Sequence, residues 1–142
     1  MPRSRRTKVP MALATVGLSL TVVACGSSSK PAAAPTRPTT AAKLEIVSPT
    51  PNEVTGPDVK VQFQVMGGTV LPAAQVKGPL RGDQGHVHVS LDGKLVQMAY
   101  ADQTTLTGLT PGQHALQASW VAVDHLPFRN QVVAAVLFQV HA

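Results

Sequence analysis

The sequence predicts an all-β domain, an antiparallel sandwich, behind an N-terminal export segment. Three observations carry this. Val59, Val61, Phe63 and Val65 alternate with Lys60, Gln62 and Gln64, the period of two that turns one face of a strand toward a core. Turn-forming pairs recur at short intervals: Ser48-Pro49, Gly67-Gly68, Asp92-Gly93 and Pro111-Gly112. No stretch after residue 43 sustains the 3.6-residue period of an amphipathic helix.

The elements follow in chain order. Leu44–Val47 is a short β-prone run closed by Ser48-Pro49, and Val59–Val65 is the half-buried strand just described. Residues 69–85 form a long irregular connection, and such loops in compact domains tend to be functional or mobile. His86–Leu91 places Val87, Val89 and Leu91 on one face and His86, His88 and Ser90 on the other. Asp92-Gly93 joins that strand to Lys94–Ala101, a strong hairpin signal. Thr104–Leu109, His114–Val123 and Gln131–Val140 complete seven short strands within residues 44–142. A sandwich of about 100 residues has the immunoglobulin-like size. Trp120 stands without a cysteine pair, so the expected likeness is one of architecture only.

The N-terminus reads as an address and an anchor. Residues 1–8 are basic, and residues 9–24 are apolar or small and uncharged, the make-up of a secretory signal. The apolar run falls short of the roughly 20 residues a membrane-spanning helix needs. Arg5-Arg6 lacks the bulky apolar residues expected after a twin-arginine export pair. The run ends Val22-Val23-Ala24-Cys25, followed by Gly26 and Ser27–Ser29, and here the chain resembles the bacterial lipoprotein lipobox. The resemblance implies cleavage between Ala24 and Cys25 and diacylglyceryl transfer to the Cys25 thiol. Two acyl chains make stable anchoring where one gives only marginal binding. The expected organisation is therefore a signal peptide over 1–24, lipidated Cys25 with a Ser/Pro/Ala/Thr linker over 25–43, and a domain over 44–142.

Charge narrows the function classes. The formal net charge is +5, but residues 1–24 carry four bases and no acid, and residues 25–43 carry Lys30, Arg37 and Lys43. All seven acids fall in residues 44–142, opposite only five bases. A slightly acidic domain lacks the basic face that phosphate neutralisation requires, which excludes a nucleic-acid-binding role. The single cysteine excludes a disulfide framework and a multi-cysteine zinc site. No nucleophile-elbow serine or glycine-rich phosphate loop is present, so no enzyme activity is expected. Arg81-Gly82-Asp83 reads as solvated loop charge.

The histidines are the candidate chemistry. His86 and His88 are two apart on a predicted strand, so their rings share a side and can converge on one metal ion. His114 opens a later strand after Pro111-Gly112, and His125 follows Asp124 at its far end. Met98, on the hairpin partner, adds a thioether. Imidazole with thioether suits copper; imidazole with Asp124 suits zinc or copper(II). The competing reading is structural: a histidine bonding a turn carbonyl, another capping a loop through one hydrogen bond. His141, one residue from the end, belongs to neither.

Gly85-His86-Val87-His88, Asp92-Gly93, Pro111-Gly112-Gln113-His114-Ala115-Leu116 and Asp124-His125-Leu126-Pro127 together resemble a group of small exported bacterial proteins that share GHxH, PGxH and DHxP stretches. The resemblance spans about residues 85–140. It implies an exported sandwich and joins His86, His88, His114 and His125 in meaning, without supplying an activity. The expected function is a binding or interaction module, held by lipid on the extracytoplasmic face of the cell membrane and meeting an envelope protein or ligand. The alternative is copper or zinc binding, for storage, delivery or sensing, through His86, His88 and His125, with His114 or Met98 as optional further ligands.

Overall fold

The computed structural model describes residues 36–141. The expected signal peptide, Cys25 and most of the linker lie outside them. The described chain folds as two sheets packed face to face, an immunoglobulin-like sandwich. In chain order the strands are β1 (Lys43–Ser48), β2 (Val54–Thr55), β3 (Val59–Met66), β4 (Thr69–Val70), β5 (Gln84–Leu91), β6 (Lys94–Ala99), β7 (Gln103–Leu106), β8 (Gly112–Val121) and β9 (Pro127–Val140). One sheet runs β1-β3-β7; the other runs β2-β9-β8-β5-β4, with β6 also on β5. Each of the seven predicted strands is present, and β2 and β4 are two-residue additions.

Period-two alternation builds the core. Val59, Val61 and Phe63 of β3 face Val87 and Val89 of β5 and Leu116, Ala118 and Trp120 of β8 across one buried cluster. Trp120 and Phe128 stack with ring centroids 6.2 Å apart. The same alternation turns His86, His88 and Ser90 of β5 to the outer face of the larger sheet, beside Val121, Ser119 and Gln117 of β8.

The packed domain begins before the expected boundary at Leu44. Thr40 and Ala42 are buried, and Asn130 brackets Thr40 by accepting its N–H at 2.8 Å and donating to its carbonyl at 2.7 Å. The Arg129 N–H donates to the Pro38 carbonyl at 3.1 Å. A segment of small residues and prolines lacks apolar bulk, but it docks here by satisfying backbone groups of β9.

Candidate metal centre

Three histidines meet on the outer face of the larger sheet. His86 and His88 come from β5, where i and i+2 share a side. A Cβ at Gly85 would collide with the Val121 carbonyl oxygen, so glycine lets the start of β5 lie close against the end of β8. That approach brings His86 beside the turn joining β8 to β9. Within the turn the His125 N–H donates to the Ala122 carbonyl at 3.0 Å, and the Ala122 N–H donates to the Leu126 carbonyl at 3.0 Å. His125 takes φ of 64°, a left-handed conformation in which histidine is enriched among non-glycine residues.

The ring nitrogens form a triangle. His86 Nε2 lies 3.1 Å from His88 Nε2 and 3.0 Å from His125 Nδ1, and the remaining edge is 3.4 Å. A tetrahedral ion with bonds of about 2.0–2.1 Å to imidazole nitrogen sets its ligands about 3.3–3.4 Å apart, and a facial octahedral set about 2.8–3.0 Å. The observed edges fall between these values, so one ion fits all three nitrogens. No carboxylate belongs to this group among the described residues.

Burial keeps two of the three rings uncharged. His86 is fully buried, and burial is the main reason its pKa falls to about 4; the neighbouring His88 and His125 lower it further. His88 is also lowered, first by burial and then by His125. Near neutral pH both rings are uncharged, as metal ligation requires. Tyr100 stacks on His86 with centroids 5.0 Å apart and donates its hydroxyl to Met98 Sδ at 3.5 Å. His86 Nδ1 is buried without a hydrogen-bond partner, as is Trp120 Nε1. Ligating histidines usually donate their outer N–H to an acceptor, so His86 holds its ring by stacking instead. A cleft of about 230 Å³ opens beside His88 and His125, lined by Ser90, Gln117, Ser119, Gln131 and Val133 among others, none of them charged.

The remaining expected site residues sort differently. His114 does not join the triangle. It lies near the other end of β8 and on the core side, its ring 5.8 Å from that of Phe138. Both its ring nitrogens are engaged, Nδ1 with Asp92 at 2.7 Å and Nε2 with the Thr110 carbonyl at 2.8 Å. Those contacts, the Thr110 carbonyl first and Asp92 next, raise its pKa. Asp124 is not available as a ligand either: its two oxygens accept from Arg37 at 2.8 and 3.1 Å. That pairing is the main cause of its lowered pKa. Met98 lies directly opposite His88 in the β5–β6 ladder, on the same face. Tyr100 and Arg37 were not expected at the site. A bulge in β6 is needed to bring Tyr100 over His86, and Arg37 sits in a stretch with linker composition.

No family model and no curated protein matches the sequence. Among solved structures, the chain is similar to fibronectin(III)-like modules of Clostridium thermocellum CbhA, at 19% identity and TM-score 0.49, covering 68% of this chain and 93% of that one. It is similar to the PKD domain of human KIAA0319, at 14% identity and TM-score 0.43, covering 80% and 88%. A Jonesia denitrificans lytic polysaccharide monooxygenase is similar at 16% identity and TM-score 0.42, covering 66% and 60%. The likeness is one of sandwich architecture and extends to no ligand or activity.

Proposed function

We propose that this chain is an exported, lipid-anchored metal-binding protein in which His86, His88 and His125 hold one copper or zinc ion. The observation that carries the reading is the nitrogen triangle, with edges of 3.0–3.4 Å. The burial-lowered pKa of His86 supports it by keeping that ligand deprotonated well below neutral pH. Imidazole serves both metals, and a thioether across the ladder at Met98 favours copper. Three protein ligands leave room for a further one from the cleft side, which suits exchange of the ion more than permanent burial.

The test is calorimetric titration of the detergent-purified full chain with copper and with zinc, beside the His86→Ala/His88→Ala double variant. One equivalent bound by the parent and lost in the variant supports the site; equal weak binding by both removes it. The anchoring half of the proposal is tested by the mass of the mature chain. It should begin at Cys25 and carry acyl mass, and an unmodified thiol would contradict it.

A second reading is a binding module whose partner lies along the same outer face. Leu95 and Val133 are each about half exposed there, lining the cleft. A double variant that loses metal yet keeps an envelope partner would favour this reading.

A further inference from the structure

We infer that Arg37 is a positioning residue of this metal centre, and that metal loading is coupled to docking of the segment around Arg37. The inference rests on the metal-binding reading above. The three ligands are not held equally. His86 and His88 belong to β5, which is paired with β8 on one side and with β4 and β6 on the other. His125 is the one ligand carried by a turn.

Arg37 directs its hydrogen bonds to that turn and to the first residue of β9. Its Nη1 and Nη2 donate to the two Asp124 oxygens at 2.8 and 3.1 Å. Nη2 also donates to the Leu126 carbonyl at 2.9 Å, and Nε donates to the Pro127 carbonyl at 2.7 Å. These acceptors flank His125 on both sides along the chain. A planar guanidinium can reach them together; the point charge of a lysine cannot. The surrounding segment is pinned on one side by Asn130 and Arg129. On the other side, a Cβ at Gly82 would collide with the Thr39 carbonyl oxygen, so the approach to β5 closes tightly on it.

The consequence for binding follows from populations. The affinity of a site scales with the fraction of molecules already in the competent geometry. Loosening the turn lowers the fraction with His125 Nδ1 in the triangle and leaves His86 and His88 in place. Linkage is reciprocal, so an ion that holds His125 must also favour the docked state of residues 37–40. Arg37 lies twelve residues after Cys25, so in the proposed arrangement the coupled segment is the membrane-proximal one.

The experiment is a zinc(II) competition titration of the detergent-purified full chain against a chromophoric chelator, with amide hydrogen exchange on the same samples. Arg37→Ala and Arg37→Lys should each weaken zinc binding by about 10–100-fold, the usual effect of removing a group that orients a ligand. In a His125→Ala background, Arg37→Ala should change the residual affinity by less than about twofold, because the ligand it positions is gone. In the parent, zinc should slow exchange of the Thr40 and Arg129 amides. Zinc binding by Arg37→Lys equal to the parent's would overturn the inference, as would a full additional loss in the His125→Ala background, which marks a general effect on folding. If His86→Ala/His88→Ala binds zinc as the parent does, the site itself fails and the coupling with it. If that variant loses zinc while both Arg37 variants keep it, the coupling alone falls.

Discussion

Histidines lie beside both ends of β8, and the two settings are chemical opposites. Near its start, on the core side, His114 faces an acid and a carbonyl, both ring nitrogens are engaged, and protonation is favoured. By its other end, on the outer face, three imidazoles face one another with no acid in the group among the described residues, and burial disfavours protonation of His86 and His88. A histidine matched with an acid is a structural pair that holds a proton. Histidines matched only with histidines keep their lone pairs for a cation. The difference lies in the partners, since the side chain is the same.

The largest effect that could break this contrast is on metal affinity. His86→Ala/His88→Ala should weaken copper or zinc binding by at least about 100-fold, since removing even a supporting group commonly costs 10–100-fold. His114→Ala should leave affinity within about twofold of the parent. Calorimetry of both variants checks this, and a comparable loss in both would erase the distinction between the two ends.

The next effect is on stability against pH. The folded pKa of His86 lies below its unfolded value, so the unfolded state binds more protons between the two. Its contribution to metal-free stability is therefore present above about pH 6.5 and lost as pH falls toward about 4. A depression of this size corresponds to roughly 3 kcal/mol at most. Urea unfolding across that window should show the loss, and His86→Gln should flatten it. His114 has the opposite sign. Its raised folded pKa contributes stability that is present at low pH and lost as pH rises through that value.

The smallest effect sharpens the other end. Asp92 accepts the Ala115 N–H at 2.9 Å as well as contacting His114. Asp92→Asn keeps the shape and tolerates the left-handed turn at φ of 51°, but it removes the charge. It should cost about 1 kcal/mol at pH 6 and lower the His114 pKa by NMR. Zinc affinity should not change.

How far this could be read from the chain depends on the distance over which each feature is determined. Strands such as Val59–Met66 are legible because alternation is local. That His86 and His88 share a face follows from spacing alone. That His125 joins them does not, since it needs the close approach at Gly85 and a left-handed residue in the turn. Residue type alone groups His114 with them, yet the alternation of β8 sends it inward with Leu116, Ala118 and Trp120. Met98 meets His88 only because the β5–β6 ladder shifts register near Val96, and an unbroken hairpin from Asp92-Gly93 would have turned it inward. Arg37 was hidden by its neighbours, because composition reports burial capacity and not hydrogen bonds to a turn 87 positions away.

The most direct test of the central claim is a zinc titration of the ¹⁵N-labelled full chain, read at the histidine ring nitrogens. Saturation is expected at one equivalent, with the rings of His86, His88 and His125 shifting together and that of His114 unmoved. Shifts confined to His114 or His141, or none at one equivalent, would contradict it.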